Sequence, residues 1–408
     1  MRIPTLSRLS LLSASAAALL LSCSHDAAKP DAASTAAAVK APESAAVQQG
    51  AAEKAAAEKL AAERFAAQKA EADKAAEEQL HLAKLRLHVA VASLPEVPAL
   101  PALPHGIAKV EAPADNPLTA EKVALGQQLF FDKRLSKDGS MSCESCHHIA
   151  QAYTSGNALD TKVGGKVNVR NAPTMTNLGY HANGYYWDGR KPTLEAVTQA
   201  AWAGQLGADP AAVPAALNAI LEYRALFERA FASEATAQNI PQALASFLRA
   251  LTSGDSAWEK FEAGDKKAVS KDAIAGAKLF TSKGCVQCHI APLYTDTMFH
   301  NVGIGWDASK KAFADHGRMD ATKDAADDGK FKTPTLRDAA KTGPYFHDGS
   351  AKTLADAIEI MSNGGVANPT LDAKLKPAKL NKKERAQLEA FISSLSGNLS
   401  LGAAPTLP

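Results

Sequence analysis

The sequence predicts an all-α protein, two related domains preceded by a helical stalk, and three observations carry that reading. Apolar residues make up 46% of the 408-residue chain while aromatics are only 6%, an alanine-driven balance that suits helices better than a β-sandwich. No stretch alternates apolar and polar residues for long enough to make a hairpin. The part from about Asn116 to Gly397 repeats itself: ALGQQLF…CESCH…NAPTMTN…WDGRKPTLEAV is followed by AGAKLF…CVQCH…KTPTLRD…HDGSAKTLADAI.

Taken in order, residues 1–23 read as a lipoprotein signal. Arg2 and Arg8 supply a positive start, and Leu9 to Leu21 is apolar but too short to span a bilayer. The run ends Leu20-Leu21-Ser22-Cys23, the pattern in which the cysteine becomes a lipidated N-terminus; an ordinary signal peptide with Cys23 incidental is the alternative. Either way the chain leaves the cytoplasm, and the expected location is the periplasmic side of a membrane, anchored through Cys23. Residues 24–50 form a low-complexity linker. Residues 51–88, beginning AAEKAAAEKLAAERF, are nearly all helix formers with Glu/Lys pairs on neighbouring turns, and predict a solvated helical stalk. Residues 89–115 are a proline-rich linker. Two helical domains follow, 116–262 and 263–400. Expected helices include Val213–Phe231, Pro241–Leu251 and one from Asn381 to about Leu395. A net charge of +2 gives no ground for a nucleic-acid partner.

Four of the five cysteines form two Cys-x-x-Cys pairs, each followed by histidine: Cys143, Cys146, His147 and Cys285, Cys288, His289. This is the attachment motif of haem c, in which the thiols bond the porphyrin and the histidine lies under the iron. A redox dithiol has no need of the histidine, and a four-cysteine zinc site usually brings its pairs closer in sequence. His148 is too near His147 for both to reach one iron. The occupant of the sixth iron position decides what each haem does. Met361, in ADAIEIMSNGG, is the candidate in the second domain, since soft sulfur suits electron transfer. A gapless alignment puts Ala201 at the matching place in the first domain, so that haem suits chemistry instead.

NPLTAEKVALGQQLFFDKRLSKDGSMSCESCH, RNAPT, YYWDGR, FKTPTLRDAAKTGPYFHDGS and TLADAIEIM together resemble the bacterial dihaem cytochrome c peroxidases. The wider superfamily includes dihaem enzymes that oxidise protein tryptophans. The resemblance implies two cytochrome c-like domains, two covalently bound haems c, and reduction of H₂O₂ to water with electrons from a small cytochrome or copper protein. It makes His147 the proximal ligand of the N-terminal, peroxidatic haem, and His289 with Met361 the ligands of the C-terminal, electron-accepting haem. Trp187 corresponds to the tryptophan between the haems. A Ca²⁺ ion would map to Asn171 and the carbonyls of Thr342 and Pro344. A homodimer is an assembly open to such a chain.

Two departures from the family pattern bear on activity. Members usually carry a distal histidine between the first CxxCH and RNAPT, but Ile149 to Tyr180 contains none and the expected place reads KVGGKV. The peroxidatic iron is therefore expected to be open when oxidised, with His181 the alternative ligand. The family's acid–base glutamate maps to Gln205, which can hydrogen-bond peroxide but cannot move a proton at neutral pH. Asp209 or Glu195 is the expected substitute. Three functions compete: a dihaem peroxidase, a relative oxidising residues of a partner protein, and a non-enzymatic dihaem electron carrier or redox sensor.

Overall fold

A computed structural model describes residues 45–104 and 107–408. The lipoprotein signal, Cys23 and most of the low-complexity linker lie outside the described residues. The chain divides into two units, one ending at Ala76 and one running from Glu77 to Pro408. Helix α1 (Ala45–Ser93) buries no residue. Its alanines supply helix propensity, and pairs such as Lys69–Asp73, 2.7 Å apart, add a few tenths of a kcal/mol each. It starts six residues before the expected stalk, because Ala45 to Gln49 are also compatible with helix. It ends where Leu94 precedes Pro95. No helix among the described residues is long and apolar enough to cross a membrane.

Within the second unit, α2 (Ala120–Phe131), α3 (Leu194–Gln205), α4 (Ala212–Asn218), α5 (Leu221–Phe231) and α6 (Asn239–Ala250) make the first half. The second half holds α7 (Ala257–Glu262), α8 (Lys271–Ser282), α9 (Met319–Thr322), α10 (Leu354–Ser362) and α11 (Lys382–Ser394). Six two-residue strands are present among the described residues: β1 (Ser253–Gly254), β2 (Phe299–His300), β3 (Trp306–Asp307), β4 (Ala312–Phe313), β5 (Phe331–Lys332) and β6 (Asn398–Leu399). They pair antiparallel as β1–β6, β2–β5 and β3–β4. The expected helix Val213–Phe231 is broken, with Ile220 extended between α4 and α5. A straight helix would set Leu217 and Tyr223 about 120° apart around its axis. The break lets both reach full burial. The expected C-terminal helix starts at its predicted cap: Asn381 Oδ1 accepts from Glu384 N–H at 3.0 Å, and the glutamate accepts from Asn381 N–H at 2.9 Å.

Each half has its own apolar core, and the two are built alike. α2 packs on α6 as α8 packs on α11. The crossings are close because glycine sits at both: a Cβ on Gly126 would overlap the Ala243 carbonyl and lie 2.9 Å from Phe247 Cβ. One on Gly276 would overlap the Gln387 carbonyl and lie 2.9 Å from Phe391 Cβ. Beside the first crossing Phe130 meets Tyr153 at 5.7 Å and Phe247 at 5.2 Å between ring centres. Beside the second Phe280 meets Tyr294 at 6.2 Å and Phe391 at 5.1 Å. Edge-on aromatic packing of this kind gives each core a stiff centre.

Candidate functional site

Each CxxCH sequence forms a short 3₁₀ turn that ends against its aromatic cluster. His147 lies 6.5 Å from Phe130 and His289 6.4 Å from Phe280, with ring tilts of 49° and 51°. The Nδ1 of His147 is 2.9 Å from Tyr153 O, and that of His289 is 3.0 Å from Tyr294 O. A proton on Nδ1 is thereby held by a carbonyl, which leaves Nε2 as a lone-pair donor for a metal. Burial lowers both histidines' pKa, favouring the neutral ring that ligation requires.

The four cysteines are unpaired thiols. Burial pushes Cys143 up to about 12, and burial together with Asp160 pushes Cys146 up to about 11. Redox dithiols depend on a lowered pKa, so these are poor candidates for thiol exchange. Both pairs and both histidines line one cavity of ≈ 740 Å³, whose wall also includes Phe130, Leu244, Leu388 and Ile392. Paired thiols, an anchored neutral histidine beside each pair and an apolar wall fit haem c on both sides.

The halves meet through a reciprocal pair of backbone bonds. Asn171 of RNAPT donates its N–H to His347 O at 2.6 Å, and Lys332 of FKTPT donates its N–H to Trp187 O at 2.8 Å. These four residues occupy matching positions of the two repeats. Trp187 also donates Nε1–H to Asn171 O at 2.9 Å, which fixes the indole in the cavity wall. His347, its counterpart in the second repeat, stacks on Phe331, ring centres 3.5 Å apart. Arg170 ties the halves further, pairing with Asp188 at 2.6 Å and Asp315 at 2.7 Å. Asn171, Thr342 and Pro344 all line the cavity, and the Asn171 amide donates to Asn157 O and Ala158 O at 2.8 and 3.2 Å.

Met361 sits in the last turn of α10 and Ala201 at the matching point of α3; both line the cavity, so at this helix position only the second half carries a sulfur. Gln205 ends α3 and also lines the cavity. Its Oε1 accepts from Asn168 Nδ2 at 2.9 Å, and its backbone carbonyl accepts from Val163 N–H at 3.0 Å. The KVGGKV loop is thus fastened to Gln205. Neither expected substitute acid reaches the site. Glu195 is absent from the cavity wall because Arg249 and Asn116 hold its carboxylate at 2.8 and 2.9 Å. Asp209 faces away and accepts from the Ala211 and Ala212 N–H groups at the start of α4. His181 does line the cavity. Burial and the Lys332 ammonium lower its pKa to about 3, and its Nδ1 is 3.5 Å from that ammonium.

Lys332 and His300 are two residues of the cavity wall that sequence reasoning missed. Lys332, held down to about 8 by burial, crosses from the second half to bond Gly184 O and His181. Its alignment with Asn171 was the available signal. His300 lies beside Cys288 and bonds Asp372 and Asp296 at 2.5 and 3.0 Å.

Comparison with known proteins agrees with this geometry. The family model described as di-haem cytochrome c peroxidase matches residues 120–267. The chain is 34% identical to cytochrome-c peroxidase IdrP1 of Denitromonas iodatirespirans, over 78% of this chain and 94% of the relative. It is 36% identical to the methylamine utilization protein MauG of Methylophilus methylotrophus, over 73% and 89%. Among solved structures, a MauG-like protein associated with microbial copper homeostasis superposes with a TM-score of 0.70 at 31% identity, covering 74% of this chain and 97% of that one.

Proposed function

We infer the activity from one premise: the chain belongs to the di-haem cytochrome c peroxidase family. We propose that it is a peroxidase built from two duplicated cytochrome c-like domains. Two haems c, held by Cys143, Cys146 and His147 and by Cys285, Cys288, His289 and Met361, would supply the redox chemistry for reducing H₂O₂ to water at the His147 side, with electrons from a small cytochrome or copper protein entering at the His289/Met361 side. The observation that carries this reading is an asymmetry at one matched helix position: the two histidines are equally anchored, but α10 carries Met361 where α3 carries Ala201.

The chain's own residues then have distinct tasks. His147 and His289 present Nε2 to iron, with Nδ1 kept protonated by a carbonyl. Trp187 holds an indole between the motifs as a stepping stone for electrons. Gln205, oriented by Asn168, hydrogen-bonds peroxide without transferring its proton. Asn171 with the carbonyls of Thr342 and Pro344 would take Ca²⁺. Cys23 would carry the lipid that keeps the protein at the periplasmic face of a membrane, and α1 would be its spacer.

The test is rapid mixing of the oxidised and the half-reduced protein with H₂O₂ while following the haem spectrum. Reaction of both forms, with two donor electrons consumed per peroxide, is expected if no histidine blocks the His147 side. Reaction of neither form refutes the peroxidase reading, and reaction of the half-reduced form alone refutes the open site. A second reading, oxidation of residues in a partner protein, is favoured by the MauG relatives and by the similar MauG-like structure. It predicts that the peroxide-treated protein is reduced by a partner's tryptophan rather than by a soluble donor.

A further inference from the structure

Strand β2 runs on as Asn301-Val302-Gly303, and this stretch fastens the chain that follows Met361 at successive points. His300 donates to Asp372 from Nδ1 and to Asp296 from Nε2. Asn301, only 1% exposed, gives its Nδ2 to Asn368 Oδ1 at 2.9 Å and to Thr370 O at 3.0 Å. Its carbonyl takes the Asp372 N–H at 3.0 Å. Val302 O takes the Val366 N–H at 3.0 Å. Gly303 has φ +85° and lies so close to Val366 O that a Cβ would overlap it. The loop returns to α10 where Ala378 N–H bonds Ser362 O at 2.8 Å, one residue past Met361.

The first half lacks this arrangement. After α3 the bonds from Val163, Asn168 and Lys137 stop at Leu206, and Ala201 stands where the sulfur would be. The multiple fastening belongs to the half whose helix carries a methionine at this position. The cluster of Cys288, Asp296 and His300 has ligand-type atoms within 4.8 Å of one another. It is not a metal site on this reading, because Cys288 is committed to porphyrin and both His300 nitrogens are engaged by carboxylates.

We propose that His300 and Asn301 are positioning residues. They latch the chain after α10 so that Met361 is held at the C-terminal haem, and opening the latch releases its sulfur. This rests on the reading of Met361 as an iron ligand.

The experiment uses the full-length dihaem protein and reads the red charge-transfer absorption of methionine-ligated ferric haem, the EPR spin state and the potential of each haem. Asn301→Ala and His300→Ala should each lose that absorption and lower the C-terminal potential, with the N-terminal haem signals unchanged. Imidazole, competing with a loosened sulfur, should bind the C-terminal iron at least about tenfold tighter. Asp372→Asn, a milder change, should give a partial loss and faster hydrogen exchange at the Val366 amide. If Met361→Ala leaves the wild-type absorption intact, the ligand reading is wrong. If Met361→Ala removes the absorption while Asn301→Ala, His300→Ala and Asp372→Asn all keep it at full strength, the latch alone is wrong. Should Asn301→Ala fail to fold, His300→Ala and Asp372→Asn decide the matter in the same way.

Discussion

The two halves hold their histidines with the same parts and furnish the rest of the cavity with different ones. Glycine at a helix crossing, an aromatic cluster and a tyrosine carbonyl on histidine Nδ1 recur with distances matching within about half an ångström. Beyond them the first half offers Ala201, Gln205 and a fastened KVGGKV loop, and the second offers Met361 and a latched return loop. On the proposed function, the shared parts would hold a haem and the unshared parts would decide what it does. Binding geometry and reactivity can therefore be varied separately.

The largest effect expected is on reactivity in the first half. Gln205→Glu restores a proton-transferring side chain to the cavity and should raise H₂O₂ turnover by about 10²–10⁴. Steady-state peroxide consumption checks it, and no change would remove Gln205 from the reaction. The shared scaffold is tested by Gly126→Ala and Gly276→Ala, each driving a methyl into a backbone carbonyl. Each should destabilise its own half by about 1–3 kcal/mol, measured by denaturant unfolding with each haem's spectrum as the local probe. Equal losses in both halves would support a common scaffold; a loss in one alone would break the comparison.

A further effect, confined to acid pH, arises in the first half. His181 is held neutral by burial and by Lys332, with a pKa lowered to about 3, whereas an unfolded histidine titrates near ~6.5. Between these values the unfolded chain binds the extra proton, so stability falls as pH drops through that window. His181→Gln should flatten this fall. A variant with an unchanged pH profile would show that His181 is not the group responsible.

Local chemistry made much of this legible in the sequence. The CxxCH motifs, the Asn381 cap and the gapless alignment of Trp187 with His347 all depend on near neighbours. What escaped depends on partners far along the chain. Glu195 reads as a spare acid until Arg249, 54 residues away, is placed on it. The extended Ile220 follows from burying Leu217 and Tyr223 together, and His300 acquires its role from Asp372, 72 residues on. Lys332 looks like an ordinary surface cation in sequence, yet it is buried against the other half.

The reciprocal bonds between RNAPT and FKTPT also make the two halves depend on each other. Neither half completes its own wall, and the cysteines of both open into a cavity that exists only once the halves have joined. A substitution that loosens either strip therefore disturbs a wall that both motifs share.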